Sequence, residues 1–210
     1  MFISNKKINF LIPGSSGNLE LLASSPAEPR AITCIICHPH PVQGGTMHNK
    51  VVYTLASTME ALSVKTVRFN FRGVQKSEGE FGHGVGELDD LIVVVDWVKT
   101  HCPNDVIWLA GFSFGGFIAI KGNQVCGAAG LVVVAPPAGH PYFNELPEII
   151  CPWVLAQGAQ DEVVDAATVL DWANRQAPAP CVVAMPDAGH FFHGQLVLLK
   201  EKLLQALAFW

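Results

Sequence analysis

Short, almost wholly apolar runs alternate along the chain with segments whose apolar residues recur every three or four positions. The runs lie at residues 8–12, 19–23, 31–37, 66–71, 106–110, 131–135, 153–156 and 181–185. Several are rich in Val, Ile and Phe and carry no polar alternate face. Strands covered by helices on both sides have that character. Between them, residues 49–62 place Val52, Leu55, Met59 and Leu62 on one side of a helix. Residues 87–101 do the same with Leu88, Leu91, Ile92, Val95 and Val98, acids first and Lys99 near the end, as the helix dipole favours. Residues 114–121 predict a short helix closed by Gly122, Asp165 caps a helix to about Gln176, and residues 195–209 repeat Leu196, Leu199, Leu203 and Ala206. The first two runs, with no helix between them, predict an antiparallel hairpin at a sheet edge. The rest predict an α/β fold: a mostly parallel sheet of about eight strands with helices on both faces, in a single domain spanning 1–210.

Composition agrees with one large core. Half of the 210 residues are hydrophobic and 15% are charged. A chain of this length buries roughly 70% of the surface it exposes when unfolded. The formal net charge of −5 argues against nucleic acid or an anionic membrane as the main partner. No apolar stretch reaches the length of a membrane span and no signal-like segment follows Lys6 and Lys7, so the expected location is the cytoplasm. The oligomeric state is open. The six cysteines are scattered. Cys34 and Cys37 form a C-x-x-C inside an expected strand, where residues three apart face opposite ways and cannot share a metal.

The chemistry gathers at the C-terminal ends of the later runs. Gly111-Phe112-Ser113-Phe114-Gly115 matches G-x-S-x-G, between a strand and a helix. That turn lifts a serine hydroxyl above the strand end, and the flanking glycines let strand and helix approach. Serine needs a base and an orienting acid. Asp161 follows the run 153–156 and His190 follows the run 181–185, in the order nucleophile, acid, base. Glu162, Asp165 and Asp187 compete for the acid and His193 for the base. Asp161 and His190 are favoured by their position just past strand ends, and Asp165 reads as a helix cap. For the oxyanion, the backbone N–H of Phe114 is one donor. In the loop His38-Pro39-His40-Pro41 the prolines have no N–H, which isolates His40 as the second, with Val42 in reserve. His38 and His40 lack a third metal ligand nearby, so neither metal nor cofactor is expected. The glycine-rich loop 72–86, carrying His83, is expected to border the site, with Arg72 tied to Asp89 or Asp90. Only 16 residues, 136–151, lie between two of the runs where a cap is often inserted, and four are proline. No cap domain is expected.

Taken together, His38-Pro39-His40-Pro41, Gly44-Gly45-Thr46-Met47 with Asn49-Lys50-Val51-Val52, Arg68-Phe69-Asn70-Phe71-Arg72-Gly73-Val74, Ser77-Glu78-Gly79 and Gly111–Gly115 resemble, in this order, small bacterial α/β-hydrolases related to the dienelactone hydrolases. The resemblance runs from about residue 7 to the end. It implies an esterase-like serine hydrolase; dienelactone hydrolases proper carry cysteine where this chain has Ser113. The expected activity is cleavage of small, soluble carboxylic esters or thioesters through an acyl-enzyme. The alternatives are a serine peptidase, thioesterase or acyltransferase, and a non-catalytic binding module on the same fold.

Overall fold

The computed structural model describes Phe2 and residues 4–208. Its strands are β1 (Lys7–Gly14), β2 (Gly17–Ser24), β3 (Ile32–Cys37), β4 (Lys65–Phe69), β5 (Val106–Phe112), β6 (Gly130–Val134), β7 (Trp153–Gly158) and β8 (Cys181–Met185). They form one sheet in the order β1-β2-β4-β3-β5-β6-β7-β8. From β4 to β8 all neighbours are parallel, while β2 runs antiparallel to both β1 and β4. The helices are α1 (Lys50–Ala61), α2 (Gly86–His101), α3 (Phe114–Gly122), α4 (Ala166–Ala173) and α5 (Leu196–Leu207). This is the α/β-hydrolase architecture.

The sheet separates two apolar layers. Along β3 every residue is buried, but alternate residues go to opposite sides. Ile35 and Cys37 belong to the layer that holds α2, α3 and α4, whereas Cys34 and Ile36 belong to the layer of α1 and α5. The two thiols of the C-x-x-C therefore face apart, and burial raises both above the ordinary thiol range.

Several boundaries differ from those the pattern predicts. The run 66–71 ends as a strand at Phe69, because the next residues are engaged elsewhere. The Asn70 N–H donates to the Glu20 carbonyl (2.9 Å) and its Oδ1 accepts from the Met47 N–H (2.8 Å). β5 instead continues through Phe112, since Gly111 and Phe112 still have partners in Val133 and Val134. Gly122 does not close α3 by a left-handed turn; that conformation falls at Gly127 (φ 66°). Gly122 is small for packing: a Cβ there would lie 2.7 Å from a Leu91 methyl on α2. The fourth helix stops at Ala173, three residues early. The fifth ends at Leu207, and residue 209 of its expected span lies outside the described residues. Asn49 and Asp165 both cap as their chemistry suggests, accepting from the N–H groups of Val51 (2.8 Å) and Thr168 (2.8 Å).

Candidate active site

Ser113 sits between β5 and α3 at φ 54°, ψ −120°, a region that costs a non-glycine residue strain. The sequence around it makes that conformation possible. A Cβ on Gly111 would collide with the Gly115 carbonyl, and one on Gly115 with the Cys37 carbonyl. Both positions therefore require glycine, and the start of α3 lies directly against the end of β3. The Ser113 N–H is held by the Val134 carbonyl of β6 at 2.9 Å.

Two loops at the same sheet end bring the other groups to the hydroxyl. His190 Nε2 is 3.1 Å from Ser113 Oγ, and His190 Nδ1 is 2.9 Å from Asp161 Oδ2 and 3.1 Å from Oδ1. The side chains of His190 and Asp161 are buried, 2% and 0% exposed. Asp161 also accepts from the N–H groups of Val163 (2.9 Å) and Val164 (2.8 Å) and from Gln157 Nε2 (3.1 Å). Burial alone would raise its pKa, but the bonds from His190, Val164 and Val163 outweigh it and hold the carboxyl below its ordinary value. An ionised Asp161 only accepts, so His190 Nδ1 carries the proton and Nε2 is free to accept from the serine O–H.

Ser113 opens into a cavity of about 520 Å³. Its walls include His40 and Phe114, the segment from Pro137 to Tyr142, and Val163, Val164, Asp165 and Thr168. Among the described residues, neither the Phe114 nor the His40 backbone N–H donates to another backbone group.

Comparisons with known proteins show where the fold and the sequence recur. An α/β serine hydrolase homologue from Coxiella burnetii is 47% identical, covers 98% of each chain and superposes with a TM-score of 0.93. An α/β serine hydrolase without a lid from Xanthomonas campestris is 37% identical over the whole of this chain and 97% of its own, with a TM-score of 0.94. An uncharacterised protein from Rickettsia prowazekii is 34% identical over 167 residues, 77% of this chain and 70% of its own length. The chain belongs to the α/β serine hydrolases. No family model matches it.

The remaining candidates are sorted by what they touch in this serine hydrolase. Asp187 is exposed, and no hydrogen bond links it to His190 among the described residues. Asp165 faces Thr168 as a cap. Glu162 contacts the histidine at a different atom: its Oε2 accepts the backbone N–H of His190 at 3.1 Å. Gly189 permits this, since a Cβ there would lie 2.6 Å from that carboxylate oxygen. Sequence reasoning missed Gln157, and it weighed Glu162 only as a rival acid, not as a partner of the His190 backbone. The available signal was a polar residue ending an otherwise apolar strand, and an acid directly beside the chosen one.

His38 is structural. It is fully buried, Nδ1 donates to the Pro39 carbonyl (2.6 Å), and Nε2 accepts the Phe71 N–H (3.0 Å). Burial lowers its pKa to about 4, so it stays neutral and ties the ends of β3 and β4 together. Val42 is 68% exposed and does not line the cavity. His83 is exposed and rests on Phe81, whose ring in turn lies 4.9 Å from His40, so the glycine-rich loop does border the site. Arg72 clamps that loop to Asp90, through Nη2 (2.8 Å) and its own backbone N–H (2.9 Å). His193 is exposed and stacked on Phe191. Of the aromatic residues near the motifs, Phe114 and Tyr142 line the cavity, while Phe112, Phe117, Phe143 and Phe192 are core.

Proposed function

We propose that this hydrolase cleaves carboxylic esters or thioesters of small, soluble molecules through an acyl-enzyme on Ser113. The observation that carries the reading is the unbroken chain Ser113 Oγ, His190, Asp161, with links of 3.1 and 2.9 Å. Such a chain turns a weak nucleophile into a strong one. His190 takes the serine proton as Oγ attacks the carbonyl carbon. Asp161 stabilises the imidazolium and keeps the proton on Nδ1. The N–H groups of Phe114 and His40 receive the developing oxyanion. His190 then protonates the departing alkoxide or thiolate. In the second half it draws a proton from water, which attacks the acyl carbon and releases the acid and free Ser113.

A fluorophosphonate probe tests the reading, because only an activated serine reacts. Wild-type protein should label, and Ser113→Ala should not. Ser113→Ala and His190→Ala should each lower kcat on p-nitrophenyl butyrate by about 10⁴-fold or more with the fold intact. Labelling that persists in Ser113→Ala overturns the assignment. A panel of p-nitrophenyl esters, acyl-CoA thioesters and aminopeptidase substrates separates esterase from thioesterase and peptidase.

A further inference from the structure

The string Arg68-Phe69-Asn70-Phe71-Arg72 contains two arginines that the fold treats in opposite ways. Arg72 is fully paired with Asp90. Arg68 is equally buried, 5% exposed, yet no carboxylate lies within ion-pair distance of it among the described residues. Among the described residues its guanidinium donates from Nη1 to the Met47 carbonyl (2.9 Å), lies 5.7 Å from the centre of the Tyr53 ring, and feels Glu60 only at longer range. A guanidinium has five N–H donors, and among the described residues no Arg68 nitrogen is both buried and without a partner, so those not bonded to Met47 face the groove.

Arg68 forms part of the wall of a groove of about 540 Å³ beside α1 and α5, away from Ser113. Lys7, Lys50, Lys200 and His48 line the same groove, and no Asp or Glu does. Four of the chain's 13 basic residues thus converge on one hollow of an acidic protein. Neighbouring groups occupy them only in part. Lys7 reaches Glu60 at 3.6 Å on the rim, and Lys200 donates to Ser57 Oγ at 2.6 Å, leaving the Ser57 hydroxyl hydrogen to give elsewhere. Tyr53, Leu196 and Val197 add aromatic and aliphatic surface. Clustered cations repel one another, and a bound anion relieves that repulsion.

We propose that this groove binds a small organic anion bearing a phosphate or pyrophosphate group. Beyond Lys7, which Glu60 already meets, a single carboxylate offsets one of the three remaining positive charges, whereas a pyrophosphate offsets several. Its tetrahedral oxygens suit the guanidinium fork and the Ser57 hydroxyl together. The apolar wall and the volume fit an organic portion as well. The groove shares His48 and Lys50 with a hollow of about 300 Å³ whose other wall includes Phe191 and His193, just past His190. An elongated ligand therefore extends toward the His190 side of the active site.

Calorimetric titration of the intact protein with pyrophosphate and with ADP, at fixed ionic strength, tests this. Saturable binding at one site is expected, with a rise in Tm that grows with ligand concentration. The double variant Lys50→Ala/Lys200→Ala alters exposed or half-buried side chains and should weaken binding by about tenfold or more with unchanged circular dichroism. Arg68→Gln should abolish it; should that variant fail to fold, the lysine variant carries the decision. Absence of saturable binding at millimolar ligand overturns the proposal, as does undiminished affinity in the lysine variant. Binding to phosphatidylserine vesicles without binding to the soluble phosphates also overturns it, in favour of a membrane contact.

Discussion

Asp161 and Glu162 are adjacent carboxylates that hold one histidine at two different atoms, ring and backbone. That distinction predicts unequal losses. Asp161→Asn should lower kcat by about 10³–10⁴-fold at neutral pH, because an amide no longer stabilises the imidazolium or enforces the tautomer. Glu162→Ala should cost on the order of tenfold, by loosening the loop rather than removing the ring's partner. Asp187→Asn should stay within about twofold, as an exposed side chain without a bond to the site. Steady-state kinetics on one soluble ester checks the order. His38 makes a pH prediction. Its folded pKa of about 4 lies below the unfolded value of about 6.5. Between those values the unfolded chain binds a proton that the folded one refuses. Stability therefore falls as pH drops from about 6.5 to 4, by on the order of 3 kcal/mol in all. No contribution arises above that window. Urea unfolding across the range should show the slope, and His38→Gln should flatten it.

At the scale of elements, the junctions of β5 with α3 and of β3 with the loop that follows it form the site together. Gly115 lies under the Cys37 carbonyl, and Gly45 lies equally close to that of Pro39. The two loops carrying the His40 and Phe114 N–H groups are thereby held side by side, with the rings of these residues 5.0 Å apart. Gly115→Ala should push them apart. It should cost about 1–3 kcal/mol in stability and lower kcat more than KM changes. Asp165→Ala, by contrast, removes the cap of α4 at the cavity wall and should lower Tm slightly, with a far smaller change in kcat than Gly115→Ala.

For the whole molecule, the segment between β6 and β7 decides access. It holds one short 3₁₀ turn, Pro141–Glu145, and places Tyr142 in the cavity wall without covering Ser113 with a folded insertion. Open access predicts higher kcat/KM on p-nitrophenyl esters of about two to six carbons than on long-chain ones. It also predicts no jump in rate as substrate passes its solubility limit. A preference for acyl chains of about twelve carbons or more would show that the Tyr142 loop works as a lid.

The apolar runs, the helical spacing and the glycines around Ser113 were enough to read the strands, the five helices and the serine's turn from the sequence. Each depends on local geometry: a period of two or 3.6 residues, or a backbone that only glycine permits. The order of Ser113, Asp161 and His190 was legible because parallel strands all present their C-terminal ends on one side of the sheet. What tertiary structure alone decided is whatever depends on distance across the sheet. It turned Glu162 toward the His190 backbone, set Gln157 against Asp161, ended β4 at Phe69 so that Phe71 reaches His38, and chose Asp90 over Asp89 as the partner of Arg72. A side chain's partner is fixed by where other strands and loops bring their atoms, and no local pattern encodes that.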